Sequence, residues 1–499
     1  MPDRCNPAHI PTPEQIGSGI QYPVRFGGQT HVTDASDLDT GAVPRLSDVS
    51  FGRRETVAAA VGAVLVVAAF VVPRLDLGRV TPLINATPDR FHDFADTAPL
   101  FGWWNAHVGP GTVPAVALAL AAVLWGPALA QRLPWRWLPW TAWAVSCAWA
   151  FSLAMVDGWQ RGFAGRLTAR HEYLRQVPTI DDVGEAVRTF AGRILDYQPD
   201  SWITHVSGHP PGALLTFVWL DRIGLGGGAW AGLLCLLAGS SAAAAIVVAV
   251  RALADEDTAR RAAPFVAVAP TAIWIAVSAD GYFAGVAAWG IALLALAVTG
   301  TTRLAVPAAA GAGLLLGWGI FCNYGLGLMA LPAVGVLISA RTRRSAVTAL
   351  VPAVVAALLV VGAFAAAGFW WLDGYHLVQE RYWQGIANDR PFPYWGWANF
   401  ASVVCAIGLG SVAGLSRVVD LAALRRRSGL HLVVLGALLA IVAADLSRLS
   451  KAETERIWLP FMVWLVASAA LLPPRSHRWW LALNVVGALA VNHLILTNW

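Results

Sequence analysis

The chain is 499 residues long, 57% hydrophobic and only 13% charged, with a mean hydropathy of +0.57. A soluble chain of this size carries about 25% charge, so one large water-exposed globule is excluded, and apolar runs of about twenty residues without period-two alternation predict membrane-spanning helices rather than a barrel. The net charge of +5 comes almost wholly from Arg, with Lys451 as the single Lys, and lies in short loops, which excludes a nucleic-acid footprint.

In chain order, residues 1–50 are polar, rich in Pro, Gly, Asp and Thr, and are expected to be a disordered cytoplasmic tail with no cleavable signal peptide. Residues 51–499 are expected to form one all-α, polytopic membrane domain. The apolar runs place thirteen spans at 56–73, 112–130, 138–157, 228–250, 263–278, 281–299, 304–321, 324–340, 345–371, 398–415, 429–446, 457–472 and 479–496. With the N-terminus in the cytoplasm, one set of loops collects Arg53, Arg54, Arg132, Arg136, Arg251, Arg260, Arg261, Arg303, Arg341, Arg343, Arg344, Arg417, Arg425 to Arg427, Arg475 and Arg478. The positive-inside rule assigns that set to the cytoplasm. Counting residues 212–223 as a span would invert every later loop. They number only about a dozen, too few for a bilayer of roughly 30 Å, and are read as a helix lying at the interface or dipping into the outer leaflet. The outer face then holds loops 74–111, 158–227, 372–397 and 447–456. The 25 Trp residues, many at the ends of apolar runs, suit an interfacial belt. The five Cys residues are scattered, with no metal spacing and no evident disulfide pair.

The candidate chemistry lies in those outer segments. Asp157 closes the third span, where partial desolvation raises the value of a carboxylate as a base. The bland alternative is a helix-end carboxylate that faces water. Beyond a long polar stretch comes Trp202-Ile-Thr-His-Val-Ser-Gly-His-Pro-Pro-Gly212, a turn stiffened by two prolines. His205 and His209 in it can donate to an anion, or simply be solvated. Loop 372–397 mixes aromatic faces, Tyr394 among them, with Glu380, Arg381, Asp389 and Arg390. Aromatic stacking with Arg and carboxylates suits a sugar or a phosphate, as a Trp/Tyr belt with snorkelling Arg equally would. Arg456 stands at headgroup depth, where it suits a lipid phosphate, while Glu453 and Glu455 can pair with Lys451 and Arg448. In loop 74–111, His92 and Asp93 beside Asp89 and Asp96 offer a divalent cation nitrogen and oxygen ligands at a spacing that is not diagnostic; Asp76 and His107 lie in the same loop. Asp280 is read as a cap of its turn or of the next helix. No P-loop, Gly-x-Ser-x-Gly or HExxH is present, and span centres are nearly free of charge, which disfavours an ion-coupled transporter.

The order of Asp157, then His209-Pro210-Pro211, then a span ending at Arg251 resembles the GT-C superfamily of membrane glycosyltransferases. Protein O-mannosyltransferases and lipid A aminoarabinose transferases share an acidic residue after a span followed by a His-Pro-Pro or Lys-Pro-Pro turn. The segments Trp202 to Gly212, Glu380 to Trp397 and Glu453 to Pro460 are also similar to actinobacterial integral membrane proteins of this superfamily. The family usually carries its acid after the first span, often with a second acid beside it. Here the match follows the third span and Gly158 takes the second place, so either two spans precede the usual core or the base is Asp76, Asp89 or Asp93.

The resemblance implies transfer of a sugar, with inversion, from a polyprenyl-phosphate donor to a cell-envelope glycan, lipid or protein. Asp157 would be the base. His205, His209 and Arg456 would steady the departing phosphate, and Trp202, Glu380, Arg381, Arg390 and Tyr394 would hold sugar or acceptor. The alternatives are a flippase for a lipid-linked precursor, which requires polar residues at span midpoints, and a structural partner of a cell-wall complex.

Overall fold

A computed structural model describes residues 51–75 and 97–498. The predicted tail and the carboxylates Asp76, Asp89, Asp93 and Asp96, with His92, lie outside the described residues.

The chain is a helical bundle. Helices α1 (Arg53–Val71), α2 (Thr112–Arg132) and α3 (Leu138–Ala154) are followed by a long segment of short turns containing α4 (Val183–Arg188) and α5 (Thr204–Ser207). Then come α6 (Pro211–Arg222), α7 (Gly228–Leu253), α8 (Glu256–Ala267), α9 (Ala272–Ile275), α10 (Ala279–Thr299), α11 (Ala305–Cys322), α12 (Ala330–Ile338) and α13 (Arg343–Ala366). The remainder is α14 (Trp371–Gln384), α15 (Phe392–Ile407), α16 (Leu409–Leu415), α17 (Leu421–Arg425), α18 (Gly429–Leu446), α19 (Thr454–Ile457), α20 (Leu459–Val466) and α21 (His477–Leu494). Two short strands, β1 (Gly102–Trp104) and β2 (Ile495–Thr497), pair antiparallel with Trp103 opposite Leu496.

Among the described residues, seven helices are long and apolar enough to cross a membrane, or nine if each of two sharply bent pairs is one span. The thirteen expected spans are therefore not all continuous helices. Region 263–278 breaks between α8 and α9, and 324–338 starts as a 3-10 turn. Residues 398–415 bend by 110° between α15 and α16, at Gly408, whose φ of +80° favours glycine. Residues 211–222 form the expected short helix, but α6 is buried over most of its length instead of lying on a surface. Loop 372–397 is largely helical, as α14 and the start of α15.

Burial orders the bundle. The apolar windows of α7 and α10 are 67% and 72% buried, whereas those of α1, α2 and α13 are 17% buried and present Val and Leu outward, as lipid-facing helices do. The central helices approach through small residues. A Cβ on Gly285 of α10 would lie 2.0 Å from the Ala238 carbonyl oxygen of α7, a contact only glycine permits and one typical of membrane helix pairs.

The two loop sets that charge separates also bond among themselves. Arg260 donates to the carbonyls of Ala130, Gln131 and Leu133, and Arg417 pairs with Glu55. The other set joins residues 97–111, 155–227, 367–391 and 447–458 through Phe101 to Glu455, His107 to Asp157, Arg381 to Asp196 and Tyr382 to Lys451. This second end of the bundle holds the candidate site.

Candidate functional site

Asp157 sits on the turn that follows α3. Its Oδ1 lies 2.8 Å from His107 Nε2, and both side chains are 16% exposed. His107 Nδ1 lies 2.7 Å from the Asn105 carbonyl oxygen. Both ring nitrogens thus face acceptors, so either the imidazole is doubly protonated or Asp157 carries the shared proton. The other carboxylate oxygen lies 3.3 Å from Arg161 Nε. The β ribbon fixes that arginine: Arg161 donates to the Thr497 carbonyl and its guanidinium stands 5.2 Å over the Trp103 ring.

Arg161 can reach back because residues Trp159–Ala164 wind as a π-helix, a rare form that recurs at functional sites. Glycine seats this turn. A Cβ on Gly162 would lie 1.8 Å from the Ala154 carbonyl oxygen, and one on Gly228 would lie 1.8 Å from that of Ala164. Gly162→Ala is expected to displace the turn at about 1–3 kcal/mol, the usual range for overpacking. Thermal unfolding in detergent would register it, and an unchanged midpoint would contradict the close packing.

A second cluster lies beyond the turn. Glu172 is buried, and its Oε1 lies 3.0 Å from His205 Nδ1. Burial raises its carboxyl, but His205, Arg456 and Arg166 together outweigh that and hold it below the usual value. Arg456 binds Asp280 at 2.8 Å and Glu453 at 3.3 Å. Burial disfavours its charge, yet Asp280 and then Glu453 more than compensate and keep the guanidinium protonated. The second oxygen of Glu453 takes Arg390 at 3.1 Å, so one carboxylate bridges two arginines. Glu453 achieves this from a left-handed backbone, φ 61°, directly after Ala452 at φ 69°, a conformation that costs energy for residues with a Cβ.

His209 borders the same cluster. Its Nδ1 donates to the His205 carbonyl at 2.7 Å, and its ring packs against Tyr173 and Phe283. An edge remains partly exposed, but burial pushes the imidazolium form down to about 3. The neutral ring leaves the Nε2 lone pair as a hydrogen-bond acceptor, so His209 does not supply the cationic donor expected for a phosphate.

The remaining predicted residues lie apart. Trp202 is fully buried, with Nε1 bonded to the Phe190 carbonyl and Arg193 stacked 3.4 Å from its ring. Arg381 is held by Asp196 at 2.8 Å, and Glu380 is exposed on α14. The Tyr394 hydroxyl donates to the Ala69 carbonyl. Much of the aromatic surface of α14 stacks on itself, Trp371 on Tyr375 with Tyr324 against both. Asp280 is not the cap of α10: Ser278 performs that role, accepting from Gly281 N. Arg166, Glu172 and the partnering of Asp280 were not distinguishable in the sequence. No group of three or more His, Cys, Asp or Glu side chains suits a metal among the described residues.

Glu455 is fully buried beside this network. Its Oε1 accepts from Phe101 N at 2.8 Å, while Oε2 has no hydrogen-bond partner among the described residues. Burial pushes its carboxyl up from 4.5 to about 7. An acid raised in the folded state adds stability at low pH, and that contribution is lost as pH climbs through this window. Thermal unfolding from about pH 5 to about pH 8 should therefore show a decline in wild type that Glu455→Gln flattens. Parallel slopes would contradict it.

Next to the cluster runs an apolar groove of about 400 Å³, lined by Thr216, Trp219 and Leu220 of α6, Ile223 just after it, Leu234 of α7, Tyr282 of α10 and Trp318 of α11. Trp219 stacks on Trp318, whose Nε1 donates to the Tyr282 hydroxyl at 2.9 Å. Helix α6 starts just after His209 and α10 starts beside Asp280. Two of the groove's walls therefore begin at the polar cluster, and at 1.5 Å per residue Thr216 stands roughly 10 Å along α6 from it.

No protein-family model and no curated protein sequence matches the chain. Among solved structures it is similar to the oligosaccharyltransferase of Archaeoglobus fulgidus. The apo form is 13% identical, with 68% of this chain and 50% of that one covered and a TM-score of 0.47. The form with Zn and sulfate is 14% identical, with 72% and 53% covered and a TM-score of 0.48. AglB in complex with an inhibitory peptide and a dolichol-phosphate is 12% identical, with 68% and 50% covered and a TM-score of 0.45. The chain spans about half the length of these neighbours, and likeness at this level transfers neither substrate nor residue roles.

Proposed function

We propose that this protein is a membrane glycosyltransferase that moves a sugar from a polyprenyl-phosphate donor to a hydroxyl of a cell-envelope glycan, lipid or protein. The observation that supports the reading is an apolar groove two of whose walls, α6 and α10, begin at the polar cluster of His205, His209, Asp280 and Arg456. A lipid-linked donor has the same two parts, a polar reacting head and a hydrocarbon tail. The site is assigned to the outer face, opposite the Arg-rich loops.

In this reading Asp157 accepts the acceptor's hydroxyl proton. The acceptor oxygen attacks the anomeric carbon as the bond from that carbon to the phosphate oxygen breaks, and the electron pair leaves with the polyprenyl phosphate. Attack opposite the departing phosphate inverts the anomeric centre. His107 and Arg161 hold Asp157 in place, and transfer requires the state in which the shared proton resides on His107.

The test is lipid-linked sugar profiling in cells lacking the protein. Accumulation of one polyprenyl-phosphate sugar together with one truncated glycan is the expected result. An unchanged lipid pool and intact glycans would sink the reading.

A further inference from the structure

We propose that Arg166 is the anion-binding group of this site and takes the phosphate of a prenyl-phosphate headgroup, an inference that rests on the transferase reading above. The residue comes to light by elimination. Buried or half-buried arginines at this end of the bundle are occupied: Arg161 by Asp157, Arg193 by Asp200, Arg381 by Asp196, Arg390 by Glu453 and Arg456 by Asp280 and Glu453. Arg390 and Arg456 could bind a phosphate only by giving up Glu453, whose two oxygens they share.

Arg166 differs. It is half-buried, and no hydrogen bond or ion pair reaches its guanidinium among the described residues. It opens the 3-10 turn Arg166–Thr168, which packs against the π-helix that follows Asp157, against the Tyr173–Arg175 turn that follows Glu172 and against the start of α7, and the charges of Arg161, Glu172, Asp157 and Arg456 all act on it. It therefore stands on a turn that touches the segment after Asp157, the segment after Glu172 and the helix that supplies Leu234 to the groove. Burial, reinforced by Arg161, pushes its guanidinium down to about 10, as befits a cation without a close counter-ion. The nearby carboxylates do not exclude an anion, because Asp157 is met by His107 and Arg161, and Glu172 by His205. A guanidinium offers a phosphate two parallel N–H donors, and the charge on the departing phosphate is largest when it most needs them.

The test uses the full chain in nanodiscs of zwitterionic lipid, with farnesyl phosphate, inorganic phosphate and farnesol as probes and tryptophan fluorescence as the readout. Arg166→Gln should weaken farnesyl phosphate binding about tenfold or more, the usual weight of a charge-assisted hydrogen bond, and leave farnesol binding and the unfolding midpoint of the empty protein unchanged. Arg166→Lys should fall between, and Arg170→Gln, at an exposed neighbouring position, should match wild type. Inorganic phosphate competing with farnesyl phosphate would mark a site that takes free phosphate too; no competition would mark one that needs the lipid, and either supports the assignment. Equal farnesyl phosphate affinity in Arg166→Gln, or an equal loss of farnesol binding, overturns it. If wild type transfers sugar and Arg166→Gln binds and transfers as well, only the Arg166 assignment falls. If wild type neither binds farnesyl phosphate better than farnesol nor transfers, both readings fall.

Discussion

Asp157→Asn is expected to reduce sugar transfer by about 10²–10⁴-fold, the range that a positioned general base contributes, while leaving the fold and donor binding nearly intact. Asn keeps the shape and can still accept through its one oxygen from either His107 or Arg161, but it cannot take a proton. The lost ion pairs are partly exposed and carry little stability. The measurement is transfer from a labelled polyprenyl-phosphate sugar by purified, folded protein. His107→Gln should fall between wild type and Asp157→Asn, because it removes the shared proton and part of the positioning but leaves the carboxylate. Full activity in Asp157→Asn would remove Asp157 as the base and return attention to the carboxylates between residues 76 and 96.

The second large effect is on folding. Asp280 and Arg456 form a 2.8 Å pair with side chains 1% and 6% exposed. Asp280→Ala removes the carboxylate nearer to a buried guanidinium, Glu453 lying at 3.3 Å, and breaking such a pair from one side costs about 3–5 kcal/mol. Thermal unfolding should show a large drop. Asp280→Ala combined with Arg456→Met, which removes both charges, should recover part of it, a coupling that a double-mutant cycle measures. Asp280→Ala as stable as wild type would mean that the pair does not join α10 to the segment before α20.

Why some of this was legible in the sequence and some was not follows from the range of the interactions. Helices α1, α2, α7, α10, α11, α13 and α18 were visible because each is one long apolar run. The breaks were not. Gly408 bends its pair of helices where Asn484, far away in the chain, accepts from Gly410 N, and no local pattern announces that partner. Helix α14 was hidden because an aromatic, charged stretch reads equally well as a loop. Asp157, His205, His209 and Arg456 stood out as polar residues at the ends of apolar runs. Arg166 and Glu172 did not, since one arginine or glutamate in a polar loop looks like any other until its distant partners, or their absence, are seen. Asp280 looked like a cap because it lies in the first turn of a helix; its partner is 176 residues away.

The β ribbon places a condition on how this protein matures in the membrane. Arg161 rests on the carbonyl of Thr497, and the backbone N–H groups of Asn105 and His107 bond to the carbonyls of Leu494 and His493. Helices α2 and α3 leave the ribosome hundreds of residues before those carbonyls exist. The surroundings of Asp157 are therefore incomplete throughout synthesis and close only when α21 docks and β2 pairs with β1. A chain halted before residue 493 would present its helices to the bilayer without the carbonyls that Asn105, His107 and Arg161 bond, so packing of the early helices and completion of the surroundings of Asp157 are separate events.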